Sequence, residues 1–166
     1  MNVEHASVAL SAQASSLALE GSLSLGTSGT NLGLKTFTLA KSGQQLFALE
    51  NPVTISWMLN PGGTNRWLAR LDSFDWHGSG GRIQLEAGLN WPVSGDLNVS
   101  IEKLNSVVVA DFLKTQVDPF EIQSLHAAAG WTNGPLAFSI DGSGTMTPEK
   151  DFPLVALLNA HGDGKG

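Results

Sequence analysis

The sequence predicts an all-β protein built from antiparallel strands. Apolar and polar residues alternate with a period of two through most of the 166 residues, which is typical of strands with one apolar and one polar face. Short Gly-, Ser-, Asn- and Pro-rich reversals separate these segments and leave no room for crossover helices. Charged residues make up only 14%, against about 25% in average proteins, so Ser, Thr, Asn, Gln and Gly must form the polar faces.

Five alternating segments fill the first part of the chain. One of them is very regular, with Leu17, Leu19, Leu23 and Leu25 alternating with Ala, Glu and Ser. The turn-forming clusters GTSGTN and KSGQQ delimit two less regular segments. We predict strands at residues 6–12, 17–25, 32–40, 46–51 and 53–59.

Residues 65–76 break the alternation. Trp67 and Leu71 fall on one face of an ideal strand, whereas Leu68, Phe74 and Trp76 fall on the other face. A β-bulge, or burial of both faces of this strand, would explain the change.

The clearest pair of strands lies in residues 80–104. The odd-numbered residues from Ile83 to Trp91 share one face, and those from Leu97 to Ile101 share one face of the next strand. A Pro-Val-Ser-Gly break separates the two strands. We expect Glu86 and Glu102 to lie on the opposite, polar face.

Residues 105–118 leave the alternating pattern. Val108 and Phe112 have the i, i+4 spacing of a helix that Asp118-Pro119 would end. Three consecutive valines favour extended structure instead. A short helix near 105–115 and a strand with a loop are therefore alternative predictions.

The strongest local signal is the Asn133-Gly134 pair. It lies between alternating segments that run from Leu125 to Trp131 and from Leu136 to Ile140. Asn-Gly is preferred in two-residue hairpin turns because both positions tolerate positive φ, so we predict a hairpin. Residues 146–160 contain prolines near their start and are predicted as an edge strand.

About ten short strands in a chain of this length predict a single β-rich module over residues 1–166. A sandwich and a barrel are the ordinary architectures for such a series of strands. The chain starts within a strand pattern and ends in HGDGKG, so we expect it to be an internal fragment of a longer repeat protein.

Composition argues against several functional classes. The net charge is −6 and the nine lysines and arginines are scattered, which disfavours binding to nucleic acid and to anionic membrane surfaces. The chain contains no cysteine, and its four histidines lack the spacing of metal ligands. We expect no metal and no cofactor.

Two groups of residues provide weak arguments for catalysis. Glu86 and Glu102 lie on adjacent predicted strands and would form a glycosidase-like pair, but glutamate is also ordinary on an exposed strand face. Asp75 and His77, with Glu86 in the same neighbourhood, precede a Gly-rich stretch that opens a strand rather than a phosphate-binding helix. We therefore expect no enzymatic activity.

The tryptophans allow two interpretations. The chain has five tryptophans and no tyrosine. In an open apolar trough, tryptophans would contact a ligand or mark the edge of the trough. In a β-sandwich adhesion or carbohydrate-binding module, exposed Trp76 or Trp131 would stack on sugar.

The stretch GSGGRIQLEAGLNWPVSGDLNVSIEKLNSVVVADFL, followed by IQSLHAAAGWTNGPLAFSIDGSGTM, resembles the repetitive regions of AsmA-like and TamB-like proteins of Gram-negative envelopes. The resemblance covers about residues 78–145 and, more loosely, LALEGSLSLG. It lies in Gly-x-Ile-x-Leu-x-Ala, Gly-x-Leu-x-Val-x-Ile and Gly-Pro-Leu-x-Phe-x-Ile strands rather than in a catalytic signature. The membrane anchor and the C-terminal domain of whole family members are not recognisable in this chain.

The resemblance implies a single antiparallel sheet curled into a taco-like groove, apolar inside and polar outside. It implies a non-enzymatic conduit or binding module for phospholipid, or another acyl-chain lipid, in outer-membrane biogenesis. The module would lie in the periplasm, and only other parts of an inner-membrane-anchored parent protein would contact a membrane. The residues expected to line the groove are Leu17, Leu19, Leu23, Leu25, Val53, Ile55, Trp57, Ile83, Leu85, Leu89, Leu97, Val99, Ile101, Leu136, Phe138 and Ile140.

Overall fold

The protein is a single curled antiparallel sheet, which confirms the prediction of an all-β fold. The computed structural model describes residues 2–12, 14–27, 29–59, 66–106, 108, 119–146 and 154–164. The strands in these residues are β1 (Asn2–Ala12), β2 (Ser15–Gly26), β3 (Gly29–Lys41), β4 (Gln44–Leu49), β5 (Val53–Leu59), β6 (Trp67–Gly78), β7 (Gly81–Trp91), β8 (Ser94–Asn105), β9 (Phe120–Thr132), β10 (Ala137–Met146) and β11 (Leu154–Asp163). The sandwich alternative does not hold, since the described strands form one sheet rather than two packed sheets.

The sheet is a meander in which successive strand positions are neighbours in space. β4 and β5 share one position, because both lie between β3 and β6 and pair with different ends of those strands. Residues 50–52 separate these two half-strands. Among the described strands, β1 and β11 form the two edges of the sheet, so the prediction of an edge strand near the end of the chain is confirmed.

Cross-strand pairing collects the apolar residues on one face, which we call the apolar face. Leu85 pairs with Val99, and the same row continues through β9 to Ile140 in β10. Glu86 and Glu102 are exposed on the opposite face, which we call the polar face. The predicted parity of these strands is confirmed.

β-bulges keep apolar residues on the apolar face where the sequence changes parity. The pairing of β6 with β7 shifts between Leu71 and Phe74, so that both residues lie opposite apolar partners. The predicted bulge in this strand is confirmed. In β3, Lys35 is the extra residue between the pairs that Leu34 and Thr36 make with β2, which explains the irregular pattern of that segment.

One end of the apolar face is closed by a core cluster of four buried residues, Leu39, Phe47, Leu104 and Val108. The curl of the sheet brings Leu39 of β3 and Leu104 of β8 into this one cluster. The Phe47 side chain is 0% exposed. Burial of this kind is the main source of stability in a small β protein.

Trp76 links the core cluster to an interruption in the hydrogen-bond ladder. Its ring stacks with the rings of Phe37 and Phe47, each at a centroid distance of 4.6 Å. Its Nε1 donates a hydrogen bond of 2.8 Å to the Phe37 carbonyl. Phe37 lies in the part of β3 that faces the gap between β4 and β5, where the ladder provides no paired residue. The indole therefore satisfies a backbone acceptor at the gap.

One local prediction needs correction, and a second one falls largely outside the described residues. The two-residue hairpin turn is wrong: β9 ends at Thr132 and β10 begins at Ala137, so the loop has four residues. Asn133 has the expected positive φ of 48°, but Pro135 lacks an N–H for the ladder. The helix near 105–115 lies outside the described residues apart from 105, 106 and 108, which are too few to define it.

Within the described ranges, no helix is both long enough and apolar enough to cross a membrane.

Replacing Phe47 tests the role of the core cluster. Phe47→Ala should lower the free energy of unfolding by about 3–5 kcal/mol, because it opens a cavity under Trp76. Leu97→Ala on the open part of the apolar face should cost less than about 2 kcal/mol, since the Leu97 side chain is 39% exposed. Urea unfolding of both variants measures the difference. Equal losses would show that the two ends of the apolar face are equally well packed.

Candidate functional site, an open apolar groove

Away from the core cluster, the apolar face remains open. Between β5 and β9 it forms a concavity of about 420 Å³, which we call the central groove. Its larger apolar lining residues are Ile55, Trp57, Leu71, Leu89, Leu97 and Trp131. A volume in the range of about 300–1,000 Å³ is typical of small-molecule sites.

Small residues give the central groove its depth. Ala87 lies between Leu71 and Leu97 in the cross-strand row, and Ala129 follows Leu97 in the same row. This alternation of large and small side chains across neighbouring strands leaves space above the alanines. The Trp131 ring covers Gly95, because a Cβ built on Gly95 would lie only 2.2 Å from that ring.

Few polar groups line the central groove. Arg70 and Asp96 belong to a cross-strand row of opposite parity, in which both pair with Gly88, so their side chains project to the polar face. On that face the Asp96 carboxylate lies over Gly88, where a Cβ would meet its Oδ1 at 2.6 Å, and Arg70 Nε donates a 2.8 Å hydrogen bond to Asp72 Oδ1. The groove therefore suits a ligand that needs apolar contact and little hydrogen bonding.

The structure distributes the predicted groove residues over five environments. Ile55, Trp57, Leu89 and Leu97 line the central groove. Leu17, Ile83 and Ile101 pack against the core cluster, and Val53 is buried. Leu19, Leu23, Leu25, Leu85, Val99, Phe138 and Ile140 lie elsewhere on the apolar face. Leu136 lies in the loop after β9 rather than in a strand, contrary to the prediction.

The sequence analysis missed some residues of the central groove. Trp131 and Ala129 belong to the same alternating run as Leu125, so the period of β9 alone would have placed them on the apolar face. Leu71 is harder to place from the sequence. In a regular strand Leu71 and Phe74 would point to opposite faces, and only the bulge between them brings both to the apolar face.

The polar face carries a charged cluster around Asp75. The carboxylate accepts hydrogen bonds from Arg82 Nε at 3.0 Å and from Gln84 Nε2 at 3.0 Å. His77 Nε2 lies 3.0 Å from Glu50 Oε2, and its Nδ1 lies 3.7 Å from Asp75 Oδ1. The hydrogen bond from Arg82 is the main cause that lowers the pKa of Asp75 below its ordinary value. Asp75 is therefore held as a paired carboxylate.

The proposed catalytic pairs do not have suitable geometry. Glu86 lies opposite Asn98 and Glu102 opposite Arg82, so the two glutamates are four residues apart along the strands. That offset corresponds to roughly 14 Å, whereas glycosidase carboxylates lie about 5–10 Å apart. Asp75 is engaged by Arg82 and Gln84 rather than facing Glu86.

The tryptophans proposed for sugar stacking differ in their surroundings. Trp76 is enclosed by the stacked rings of Phe37 and Phe47 and does not offer a free face. Trp131 is partly exposed and contacts the edge of Trp91.

Comparisons of the chain with protein-family models, curated proteins and solved structures found no match. The resemblance to AsmA-like and TamB-like repeats therefore rests on the sequence pattern alone.

Arg82→Gln tests the electrostatics of the polar face. The low pKa of Asp75 contributes stability above about pH 4, the ordinary Asp pKa in an unfolded chain. This contribution is lost as the pH falls through the lowered pKa of the folded state. We expect the variant to be less stable than wild type at pH 7, by a small difference because solvent screens a pair at the surface. Urea unfolding at pH 7 and at lower pH should show the difference shrinking below about pH 4; a pH-independent difference would contradict this explanation.

Proposed function

We propose that this chain is a non-enzymatic binding module for acyl-chain lipids, part of an envelope lipid conduit of the AsmA-like or TamB-like type. One observation carries the proposal: large apolar side chains on the apolar face stay exposed, with Trp57 at 37%, Leu97 at 39% and Phe138 at 42%. In a sandwich, a second sheet about 10 Å away would cover such residues. The described residues supply no such sheet.

The chemistry of the central groove favours an acyl chain over a polar ligand. Transfer of each CH₂ group from water to an apolar site contributes about 0.8 kcal/mol, and it requires no hydrogen-bond partner. A chain of ten such groups would gain about 8 kcal/mol, a large part of which offsets the cost of immobilising the ligand. A phospholipid headgroup would remain in water outside the groove.

Rows of apolar residues run across the strands, and their direction supports conduction of a lipid along the sheet as well as lipid binding. The row that contains Leu85 and Val99 begins at Phe74 in β6 and ends at Ala160 in β11. This row crosses six strands, or roughly 24 Å at the usual strand spacing. Because an acyl chain lying across the strands makes only non-directional contacts, it can slide along the row without breaking hydrogen bonds. A longer parent protein in the periplasm would extend the same surface.

Two adjacent residues of β8 provide a matched test. Leu97→Asp places a carboxylate in the central groove, whereas Asn98→Asp places the same charge on the polar face of the same strand. We expect Leu97→Asp to weaken binding of a fluorescent lysophosphatidylcholine, used below its critical micelle concentration, by at least about tenfold. Asn98→Asp should bind like wild type. Fluorescence titration measures binding, and thermal unfolding checks that both variants fold.

Three outcomes of this test would contradict the proposal. The first is equal weakening by both variants, which would indicate a general effect of charge. The second is a wild-type protein that binds no lysolipid. The third is collapse of Leu97→Asp, as expected for an unpaired charge in a closed core.

A further inference from the structure

Four of the five tryptophans lie toward one end of the apolar face, opposite the end closed by the core cluster. Trp67 is the first residue of β6 and Trp91 the last residue of β7, and the two pair with each other. Leu59, the last residue of β5, pairs with Trp67. We call Leu59, Trp67, Trp91, Trp131 and Leu136 the tryptophan rim.

The tryptophan rim is both exposed and held in place. Leu59, Trp67 and Trp91 are 65%, 53% and 51% exposed. The rings of Trp91 and Trp131 meet edge to face at 6.0 Å, and Trp131 Nε1 donates a 3.2 Å hydrogen bond to the Pro92 carbonyl. These contacts orient Trp91 and Trp131 within the exposed apolar edge.

The side-chain chemistry of this edge matches the interfacial region of a lipid bilayer. All five residues of the rim are uncharged, so attraction to anionic groups does not explain their clustering. Tryptophan combines a large apolar ring with one N–H donor, and it is enriched where a membrane protein meets the headgroup level. The rim is also continuous with the central groove, because Trp131 belongs to both.

We propose that the tryptophan rim docks on the surface of a bilayer, with its rings at headgroup level, so that an acyl chain passes from the membrane into the central groove. This inference rests on the proposed function. It assigns a membrane contact to this chain, whereas the family resemblance assigns such contacts to other parts of a parent protein. Since the rim is uncharged, docking requires no anionic lipid and resists high salt.

Co-sedimentation with phosphatidylcholine vesicles tests the docking surface. The rim variant is Trp67→Ser with Trp91→Ser. The matched control is Val155→Ser with Leu157→Ser, which removes two side chains of β11 that are 73% and 82% exposed but lie far from the rim on the polar face. We expect the rim variant to lose at least about tenfold in vesicle partitioning, while the control partitions like wild type at low and high salt.

Leu59→Ser, at the end of β5, serves as a second rim variant if the double variant fails to fold, and it should also reduce partitioning. Brominated acyl chains in the vesicles should quench the fluorescence of wild-type protein more strongly than that of the rim variant. Equal loss of partitioning in the rim variant and the control would indicate general adhesion and overturn the inference. A rim-dependent dimer in gel filtration, without vesicle binding, would also overturn it in favour of a second copy.

The lysolipid titration separates failure of this inference from failure of the proposed function. Wild-type protein that binds monomeric lysophosphatidylcholine but not vesicles would overturn the docking surface and leave the lipid-binding module intact. Wild-type protein that binds neither probe would overturn both.

Discussion

The structure depends on one constraint: a single antiparallel sheet with most of its large apolar residues on one side must cover that side by curling or by binding something else. The alternation of period two places the apolar residues on one face, and the meander provides no second sheet among the described residues. Among the described residues, curling buries a core cluster where Leu39, Phe47, Leu104 and Val108 meet. The remainder is left partly exposed, and the central groove lies in that remainder.

Local irregularities preserve this one-sided arrangement instead of disturbing it. The bulge in β6 returns Phe74 to the side of Leu71, and the extra residue Lys35 does the same for β3. At the gap between β4 and β5, the Trp76 indole supplies the missing donor to Phe37. Because Trp76 packs on the core cluster, the closely packed region and the open groove are different parts of the same surface.

The polar face completes the separation of roles. Several of its charges are paired, as in the cluster of Asp75 with Arg82, and many of its other residues are small and uncharged. The offset between Glu86 and Glu102 on this face does not fit a glycosidase carboxylate pair. The open apolar face, rather than a cluster of reactive groups, is therefore the feature from which function is inferred.

The sequence by itself determined the class of fold, the strand parity and the edge position of the last strand, because the alternation of side chains is a local property of the chain. It also indicated the bulge near Leu71, since a change of parity is visible in the sequence. Only the tertiary structure decided that Ile101 packs at the closed end while Leu97, four residues earlier, lies open in the groove. Both residues have the same parity. How far each side chain is covered depends on strands distant in sequence, which the curl of the sheet brings over one end of the apolar face and not over the other.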